Sequence, residues 1–432
     1  MKIISEQKIG MEEILEMIKS KRALLCDSVD TIVQPILDAV RVEGDSAICR
    51  YTQKFDGWAM TPETMRVTQE ELEEAMDIID PIVITDLKKC AENIRRFHDQ
   101  TLVRKSRIVQ SDGIRAWSVF RPLENVGLYV PGGSATYPST VLMLAVPAQV
   151  AGVQNAFICT PASREGKCAP IVLVVADICG IKPENIFKIG GAQAIGAMAF
   201  GTQTVPKVCK IFGPGNGFVT EAKLLVQKYV PIDMPAGPSE LAVIADEFQN
   251  PEWIAADLLS QLEHGPDSQT ILITNNQKFA EAVMAELEKQ SASLQRKEII
   301  EKSMARSLIV VVKNWGEAIS ITNGYAPEHL EIVLKEKSEE DRLASLITNA
   351  GSVFLGKYST EPLGDYATGP NHTLPTSGFA KSYSGLNASS FGRVMSIQRV
   401  SKKGCKKLAD TVERLARMEG LDAHAEAVKK RQ

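Results

Sequence analysis

Short apolar runs that predict buried β-strands alternate with longer helical patterns between residues 123 and 355. Neighbouring runs are about 20–30 residues apart, which is the spacing that a strand–helix–strand crossover needs between parallel strands. The alternation therefore predicts an α/β fold with parallel sheets. The predicted strands cover residues 126–130, 156–160, 186–189, 208–212, 241–245, 271–274, 308–312, 330–334 and 353–355.

The same pattern divides the chain into four parts. The pattern of residues 1–122 predicts a helical region that ends in a β-hairpin, with its turn at residues 111–113. Two stacked α/β units follow at residues 123–238 and 239–381, and residues 382–432 predict a helical tail. We therefore expect two doubly wound units between helical ends.

Charge and hydropathy exclude several classes of protein. The 49 lysines and arginines are outnumbered by 53 acidic residues, so the net charge is −4 and no basic surplus exists for a nucleic-acid backbone. The N-terminus lacks a signal-peptide pattern, and the longest apolar run, residues 171–176, is too short to span a bilayer. The eight cysteines form no C-x-x-C pair, which argues against a thiolate zinc site and fits a reducing compartment. We expect a cytoplasmic protein.

The chain has only five histidines, and four of them lie in polar segments with Gly or Pro nearby. His98 is the exception, because it belongs to a charged helical segment, and we expect it at the surface. Gln261 and His264 are three residues apart at the end of a predicted helix, so their side chains share one face. An amide oxygen and an imidazole at that spacing suit Zn²⁺, and the same pair could instead cap the last carbonyl groups.

Two further histidines lie close to carboxylates. Asp365 and His372 belong to a polar loop after the last predicted strand, where metal binding and substrate contact are both open, as is a simple Asx-turn at Asp365. Glu419 and His424 lie near the C-terminus, where a solvated position is the alternative to a functional one.

Glu328 and His329 follow a proline and precede a predicted strand. A carboxylate beside an imidazole supplies a general base and a proton relay whose pKa values bracket neutrality. On these residues alone, an exposed pair at the start of a strand is the alternative.

Three glycine-rich turns, at residues 129–133, 190–193 and 213–216, each follow a predicted strand of the first unit. Backbone N–H groups in such turns can bind a pyrophosphate, and the three turns share the carboxyl edge of one sheet. They depart from the G-x-G-x-x-G pattern, because Phe218 stands where the third glycine is expected. The candidate ligands and bases of the second unit lie at the amino edge of its sheet, so we expect a cleft between the two edges.

Eight sequence blocks together resemble the histidinol dehydrogenases along nearly the whole chain. The blocks are GLYVPGG (127–133), GGAQAI (190–195), IFGPGN (211–216), DMPAGPSE (233–240), LLSQLEHGPDSQ (258–269), APEHL (326–330), GDYATGPNHTLPT (364–376) and EGLDAH (419–424). They occur in the family's order and contain four of the five histidines. The resemblance is therefore highly specific.

The resemblance implies a homodimer of two incomplete Rossmann-like domains, with NAD on the first unit, zinc on the second and the tail contributing to the dimer. The family oxidises L-histidinol through L-histidinaldehyde to L-histidine with two NAD⁺, in the last two steps of histidine biosynthesis. The positions that match the family's ligands of one Zn²⁺ per subunit are Gln261, His264, Asp365 and His424, and those that match its acid–base pair are Glu328 and His329. The substrate-contacting positions are Ser239, His372 and Glu419, together with the zinc ligands and His329. The positions that match its NAD contacts are Tyr129, Gln193 and Asn216. The resemblance further implies that His424 serves the partner's site.

This reading predicts that zinc orients the substrate, that His329 accepts the alcohol proton and that Glu328 activates water for the aldehyde step. Three alternatives remain on the sequence. A relative could oxidise another small polar alcohol such as a sulfonated diol, a zinc hydrolase would act without nicotinamide, and a non-catalytic zinc scaffold would leave the Glu328–His329 pair unexplained.

Overall fold

The computed structural model describes residues 1–5, 9–22, 29–132 and 136–432, so Cys26 and Gly133 lie outside the described residues. The strands are β1 (Lys2–Ser5), β2 (Val109–Ser111), β3 (Ile114–Pro122), β4 (Asn125–Tyr129), β5 (Asn155–Cys159), β6 (Ile186–Phe187), β7 (Lys210–Phe212), β8 (Glu240–Ala245), β9 (Gln269–Thr274), β10 (Leu308–Val311), β11 (His329–Val333), β12 (Ser352–Leu355) and β13 (Gly392–Val400).

The helices are α1 (Met11–Lys21), α2 (Asp30–Glu43), α3 (Asp45–Phe55), α4 (Gln69–Ile78), α5 (Pro81–Thr101), α6 (Pro138–Ala151), α7 (Pro170–Ile178), α8 (Gly191–Phe200), α9 (Gly217–Val226), α10 (Pro251–Leu262), α11 (Gln277–Ser291), α12 (Lys297–Arg306), α13 (Trp315–Tyr325), α14 (Lys337–Leu346), α15 (Glu361–Tyr366), α16 (Lys402–Met418) and α17 (Asp422–Lys429). Across the described ranges, none of them combines the length and the apolar character that crossing a membrane demands.

The first parallel sheet has the strand order β6-β5-β4-β7. Helices cover both of its faces, because successive strand residues point to opposite sides. Leu128 and Ile158 pack in the cluster that contains α6 and α7, whereas Tyr129 and Phe157 pack with α8 and α9. The N-terminal helices α2 to α5 add a further layer, with α2 against α8 and α5 against α6. This unit is doubly wound, as the sequence predicts.

The second parallel sheet has the order β1-β10-β9-β8-β11-β12. Along β8, Leu241 and Val243 pack with α10, α11 and α12, whereas Ala242 and Ile244 pack with α1, α13 and α14. From β8 onward the strands follow the order 3-2-1-4-5, with helices on both faces, which is the Rossmann pattern without its sixth strand. The predicted α/β class with two incomplete Rossmann-like units is confirmed.

The N-terminal region is not helical throughout. Lys2–Ser5 forms β1, which lies beside β10 with Ile3 opposite Ile309, and α1 packs on α13. The start of the chain therefore belongs physically to the second sheet. Its two isoleucines stand before α1, outside the alternation of strands and helices between residues 123 and 355, which explains why the sequence reading missed it.

The C-terminal tail also differs from the predicted helical segment. Gly392–Val400 forms β13, which pairs antiparallel with β3 in a three-stranded sheet ordered β13-β3-β2. The hairpin of β2 and β3 turns at Asp112, whose φ is +48°, as predicted for 111–113. Residues 392–400 have the β-branched content of a strand, but their partner lies far away in the sequence, so no local hairpin signal marks them. Two helices, α16 and α17, then complete the tail.

His98 is buried and not at the surface as predicted from its charged neighbours. Its side chain is 0% exposed and lies on the same face of α5 as the buried Ala91 and Ile94. The spacing of these three residues is helical, so the charged residues occupy the opposite face. Burial lowers the pKa of the His98 imidazole to about 4.

Candidate active site

The Glu328–His329 pair lies at the amino edge of the second sheet. Helix α13 ends at Tyr325, Ala326 adopts a left-handed conformation with φ of +55°, and Pro327 prevents the helix from continuing. The chain then enters β11 at His329, which places the pair beside the start of β8. Both side chains are buried, at 7% exposed for Glu328 and 4% for His329.

The main chain of Glu240 contacts both members of the pair. Its N–H donates to Glu328 Oε2 at 2.9 Å, and its carbonyl oxygen lies 3.3 Å from His329 Nδ1. A carbonyl only accepts, so Nδ1 carries the proton and Nε2 holds the free lone pair. No described residue is a hydrogen-bond partner of Nε2, and His329 lines a cavity of about 450 Å³.

Burial sets the charge of the pair. It lowers the pKa of His329 to about 4, so the ring is neutral near pH 7 and can accept a proton. It also raises the pKa of Glu328 well above the usual range of a carboxyl group. These are the two adjustments that a buried acid–base pair needs in order to exchange protons with a neutral substrate.

A cluster of metal-binding side chains lies next to this pair. His264 follows the end of α10 directly, and α10 packs against α15, which carries Glu361 and Asp365. The donor atoms of His264, Glu361 and Asp365 all lie within 4.8 Å of one another. Gln261, one turn earlier on α10, is 1% exposed, and its Oε1 has no hydrogen-bond partner in the described part of the chain.

Glu361 is the member of the cluster that the sequence reading missed. It lies four residues before Asp365 on the same short helix, and that spacing is the signal that could have identified it. Its Oε1 lies 3.8 Å from His329 Nε2, and Asp365 Oδ1 lies 4.0 Å from the same nitrogen. Burial, followed by the neighbouring Asp365, raises the pKa of Glu361 to about 10.

The residues present fit a zinc ion. Amide oxygen, imidazole nitrogen and carboxylate oxygen are all donors that Zn²⁺ accepts. The buried Gln261 Oε1 and Glu361 Oε1 have no hydrogen-bond partner among the described side chains and backbone groups, which is costly in a protein interior. A divalent cation would satisfy such oxygens and offset the crowding of buried carboxylates that raises their pKa values.

The loop that carries His372 connects the cluster to the first unit. His372 Nδ1 lies 3.1 Å from the Asp365 carbonyl oxygen and 3.6 Å from its Oδ1. The preceding residue, Asn371, donates from Nδ2 to the Met143 carbonyl of α6 at 2.5 Å. Ser239 directly precedes Glu240, so it lies beside the acid–base pair, and it is half-buried. The structure thus brings His372 to the cavity that His329 lines, and it places Ser239 next to Glu240 in the chain.

The three residues predicted to contact a dinucleotide line one cavity of about 1150 Å³ in the first unit. Tyr129 OH accepts from the Gly191 N–H at 3.1 Å, and Asn216 caps α9 by accepting from Val219. Gln193 is 1% exposed, and its Oε1 finds no partner within the described ranges. A buried amide at a cluster of glycine-rich turns fits a coenzyme that would supply the missing hydrogen bond.

The loop that carries Asp365 contacts the first unit through helix α6, by the Asn371–Met143 hydrogen bond. Thr136, just before α6, lines the larger cavity of the first unit. The two cavities share no lining residue, so the cleft between the two sheet edges stays a prediction.

Glu419 and His424 are the two candidates that the structure leaves apart from this site. Both are exposed, and α17, which carries His424, packs on α16. His424 is not among the donor atoms that lie together around His264.

Comparisons with known proteins agree over the whole chain. A family model described as histidinol dehydrogenase matches residues 19–432. The histidinol dehydrogenase of Methanosarcina barkeri is 45% identical over 406 residues, which cover 94% of this chain and 92% of that protein. That of Archaeoglobus fulgidus is 44% identical over 421 residues, with coverage of 98% and 99%. A crystal structure of histidinol dehydrogenase from Elizabethkingia anophelis superimposes with a TM-score of 0.94 at 41% identity, covering 100% of this chain and 98% of that one.

Proposed function

The chain belongs to the histidinol dehydrogenase family, and we propose from that premise how its residues oxidise histidinol. It is an NAD-dependent oxidoreductase of the final steps of histidine biosynthesis. The observation that carries the proposal is the contact between the buried Glu328–His329 pair and the His264–Asp365 cluster, at 4.0 Å between His329 Nε2 and Asp365 Oδ1.

The cation of this site is zinc, one per subunit, held by Gln261, His264 and Asp365 with His424 of the partner subunit. The orphaned amide oxygen of Gln261 and the close approach of His264 to Asp365 support this assignment. When bound, zinc orients the nitrogens of histidinol and NAD⁺ supplies the hydride acceptor.

His329 is the proton acceptor of the alcohol step. Its Nε2 takes the hydroxyl proton of histidinol while the carbon–hydrogen bond breaks and its electron pair leaves with the hydride, which gives the aldehyde. The Nδ1 contact with the Glu240 carbonyl supports this role, because it keeps the lone pair on Nε2, which lies 3.8 Å from Glu361 Oε1 and 4.0 Å from Asp365 Oδ1.

Glu328 serves the aldehyde step. It removes a proton from the water that adds to the aldehyde carbon, while His329 returns its proton to the aldehyde oxygen. The hydrate then gives a hydride to a second NAD⁺ as His329 accepts a hydroxyl proton. The high pKa that burial gives Glu328 makes its carboxylate a strong base once it is ionised. Each of these proton transfers contributes about 10²–10⁴-fold to the rate.

Ser239, His372 and Glu419 contact histidinol in this proposal, together with the zinc ligands and His329. Ser239 and His372 belong to the same chain as His329, whereas Glu419 comes from the other subunit with His424. Tyr129, Gln193 and Asn216 bind NAD in the large cavity of the first unit, which their shared lining of that cavity supports.

We also propose that the protein is a cytoplasmic homodimer. Helix α16 presents a row of exposed apolar side chains, with Leu408, Val412, Leu415 and Met418 at helical spacing. On β12, Val353 is 40% exposed beside the active-site cavity. A second copy that lays its tail across this edge would cover both apolar surfaces and deliver Glu419 and His424.

In this proposal the chain has four parts with different roles, at residues 1–122, 123–238, 239–381 and 382–432. The second part binds NAD, the third binds metal and performs the acid–base chemistry, and the fourth completes the partner's site. The first part is scaffold, apart from its N-terminal strand and helix, which belong to the sheet of the third.

NADH formation from histidinol, followed before and after removal of metal with a chelator, tests the proposal. We expect two NADH per histidinol, loss of activity on chelation and recovery when Zn²⁺ is added. The variant His264→Asn should bind no stoichiometric zinc. Full activity in the chelated enzyme, or zinc retained by His264→Asn, would contradict the assigned metal site.

A further inference from the structure

A buried arginine from the start of the chain reaches the active-site edge of the second sheet. Arg22 follows the end of α1, and its side chain is 8% exposed. Its Nε lies 2.6 Å from Glu240 Oε1, and its Nη2 donates to Glu240 Oε2 at 2.9 Å. The guanidinium therefore contacts both oxygens of one carboxylate, with a hydrogen bond from Nη2 and a close charge contact at Nε.

The side chain and the main chain of Glu240 contact different groups. Its side chain pairs with Arg22, while its main chain is the group that contacts both Glu328 Oε2 and His329 Nδ1. Its carboxylate also accepts from the Ser377 N–H at 3.0 Å, just beyond the loop that carries His372. A displacement of Glu240 would therefore move both partners of the acid–base pair at once.

Arg22 also holds the segment that leads into the pair. Its Nη2 donates to the Tyr325 carbonyl at 3.0 Å, and its guanidinium stacks over the Tyr325 ring at 4.0 Å. Tyr325 immediately precedes Ala326, whose positive φ is unfavourable for a residue with a Cβ. The Tyr325 hydroxyl donates to Gln269 at 2.9 Å, which anchors the ring from its far end.

We propose that Arg22 is a positioning residue for the oxidation of histidinol. It clamps Glu240 and Tyr325 together, and thereby fixes the proton on His329 Nδ1 and the orientation of Glu328. It touches neither substrate nor coenzyme. This inference rests on the proposed roles of Glu328 and His329.

The test compares Arg22→Met and Arg22→Lys with Arg306→Met as a matched control. Arg306 lies close by, donates to the Lys21 carbonyl at 3.3 Å and pairs with Asp267, but makes no contact with Glu240. Arg306→Met therefore measures the effect of losing a contact to the end of α1 while the contact between Arg22 and Glu240 remains. Steady-state kinetics with histidinol and NAD⁺, bound zinc and circular dichroism are measured for each variant and the wild type.

We expect Arg22→Met to lower kcat by about 10- to 100-fold, because a small misplacement of acid–base groups has effects of that size. The KM for histidinol and the zinc content should stay within about threefold of the wild type, since the binding groups remain in place. Arg22→Lys, which keeps the charge without the fork, should lose less, and Arg306→Met should match the wild type.

Wild-type kcat in a folded Arg22→Met would overturn the proposed positioning role of Arg22. If Arg22→Met does not fold, wild-type kcat in Arg22→Lys would overturn it. An equal loss in Arg306→Met, or a loss confined to KM or zinc content, would also overturn it. The variant His329→Asn distinguishes a failure of the proposed acid–base roles from a failure of the clamp alone. Wild-type kcat in that variant would overturn the proposed acid–base roles together with the clamp, whereas a large loss there leaves the Arg22 results as a test of the clamp alone.

Discussion

The two ring nitrogens of His329 face different surroundings, and this difference assigns its chemistry. Nδ1 contacts a main-chain carbonyl, whereas Nε2 is buried without a hydrogen-bond partner among the described residues. Glu328 lies on the other side, with its Oε2 3.7 Å from Nδ1. These different surroundings are the basis for the separate tasks that we propose, with His329 on the substrate hydroxyl and Glu328 on water.

Glu328→Gln should slow oxidation of histidinaldehyde more than oxidation of histidinol. The amide keeps the shape and accepts the Glu240 N–H through its carbonyl oxygen, but it cannot take a proton from water. We expect a loss of about 10²–10⁴-fold in the aldehyde step and a much smaller one in the alcohol step, measured as NADH formation from each substrate. Equal losses in both steps would contradict the separate role of Glu328.

His98 should make the stability of the enzyme depend on pH. Its pKa is about 4 in the folded chain against 6.5 for an ordinary histidine, so between these values the unfolded chain binds the extra proton. The free energy of unfolding should therefore fall as the pH drops from 6.5 towards 4, by up to about 3 kcal/mol.

Urea unfolding of the wild type and His98→Leu at pH 7 and pH 5 checks this expectation. The variant has no group to titrate at that position, so its free energy of unfolding should change less between the two pH values. The same change in both proteins would show that His98 does not contribute.

Single residues differ in how well the sequence reveals them. Glu328 and His329 stand out because a proline and a strand start frame them, and His264 because a helix ends there. Glu361 was missed although it lies four residues before Asp365, because the contact of its helix with α10 is made between distant segments of the chain. His98 was misplaced because its charged neighbours outnumber the few apolar residues on the buried face.

A buried ion pair supports the third glycine-rich turn. Lys223 in α9 lies 2.5 Å from Asp233, and both side chains are at most 3% exposed. Lys223 donates to the Gly213 carbonyl and Asp233 accepts the Gly213 N–H, each at 2.7 Å. The pair therefore fixes both faces of the residue that opens the turn, at the carboxyl end of β7.

Lys223→Met should lower the free energy of unfolding by about 3–5 kcal/mol, because it leaves Asp233 buried and unpaired. It should also raise the KM for NAD⁺ more than that for histidinol, since the turn belongs to the coenzyme side. Urea unfolding and steady-state kinetics measure the two effects. Lys228→Met, on the exposed surface nearby, is the control and should stay within about 0.5 kcal/mol. Wild-type stability in Lys223→Met would contradict the assignment.

The elements that the sequence predicts well are those that carry a strong local apolar pattern. The parallel strands β4 to β12 carry apolar runs between helices, and all were predicted. The strands β1 and β13 were not, because β1 lies before α1, outside the strand–helix alternation, and β13 pairs with β3 across most of the chain. Pairing between such distant segments is a property of the folded molecule, and local periodicity does not encode it.

Taken as one molecule, the chain separates the groups that we propose for the reaction. His264 and Asp365 lie together in the second unit, whereas Glu419 and His424 are exposed on the tail beside a row of apolar side chains on α16. The twofold-symmetric homodimer that we propose would resolve this separation, because each tail would complete the other site.

Mixing two inactive variants tests the shared site. His264→Asn is defective in its own site, and His424→Ala is defective in the site of its partner. In a mixed dimer one of the two sites has every group intact, so random exchange should restore about a quarter of the wild-type activity. Mixing His264→Asn with Asp365→Asn is the control, and it should restore none, because both defects stay in their own sites. Failure of the first mixture to recover activity would mean that His424 does not cross between subunits.

The position of the metal tests the account most directly. Anomalous diffraction at the zinc absorption edge, from crystals grown with Zn²⁺ and histidinol, locates the ion without reference to activity. We predict one peak per chain, about 2.0–2.2 Å from Gln261 Oε1, from an imidazole nitrogen of His264 and from a carboxylate oxygen of Asp365, with a nitrogen of the partner subunit's His424 completing the protein ligands. A peak elsewhere, or no peak at this cluster in zinc-replete crystals, would contradict the proposed site and the mechanism built on it.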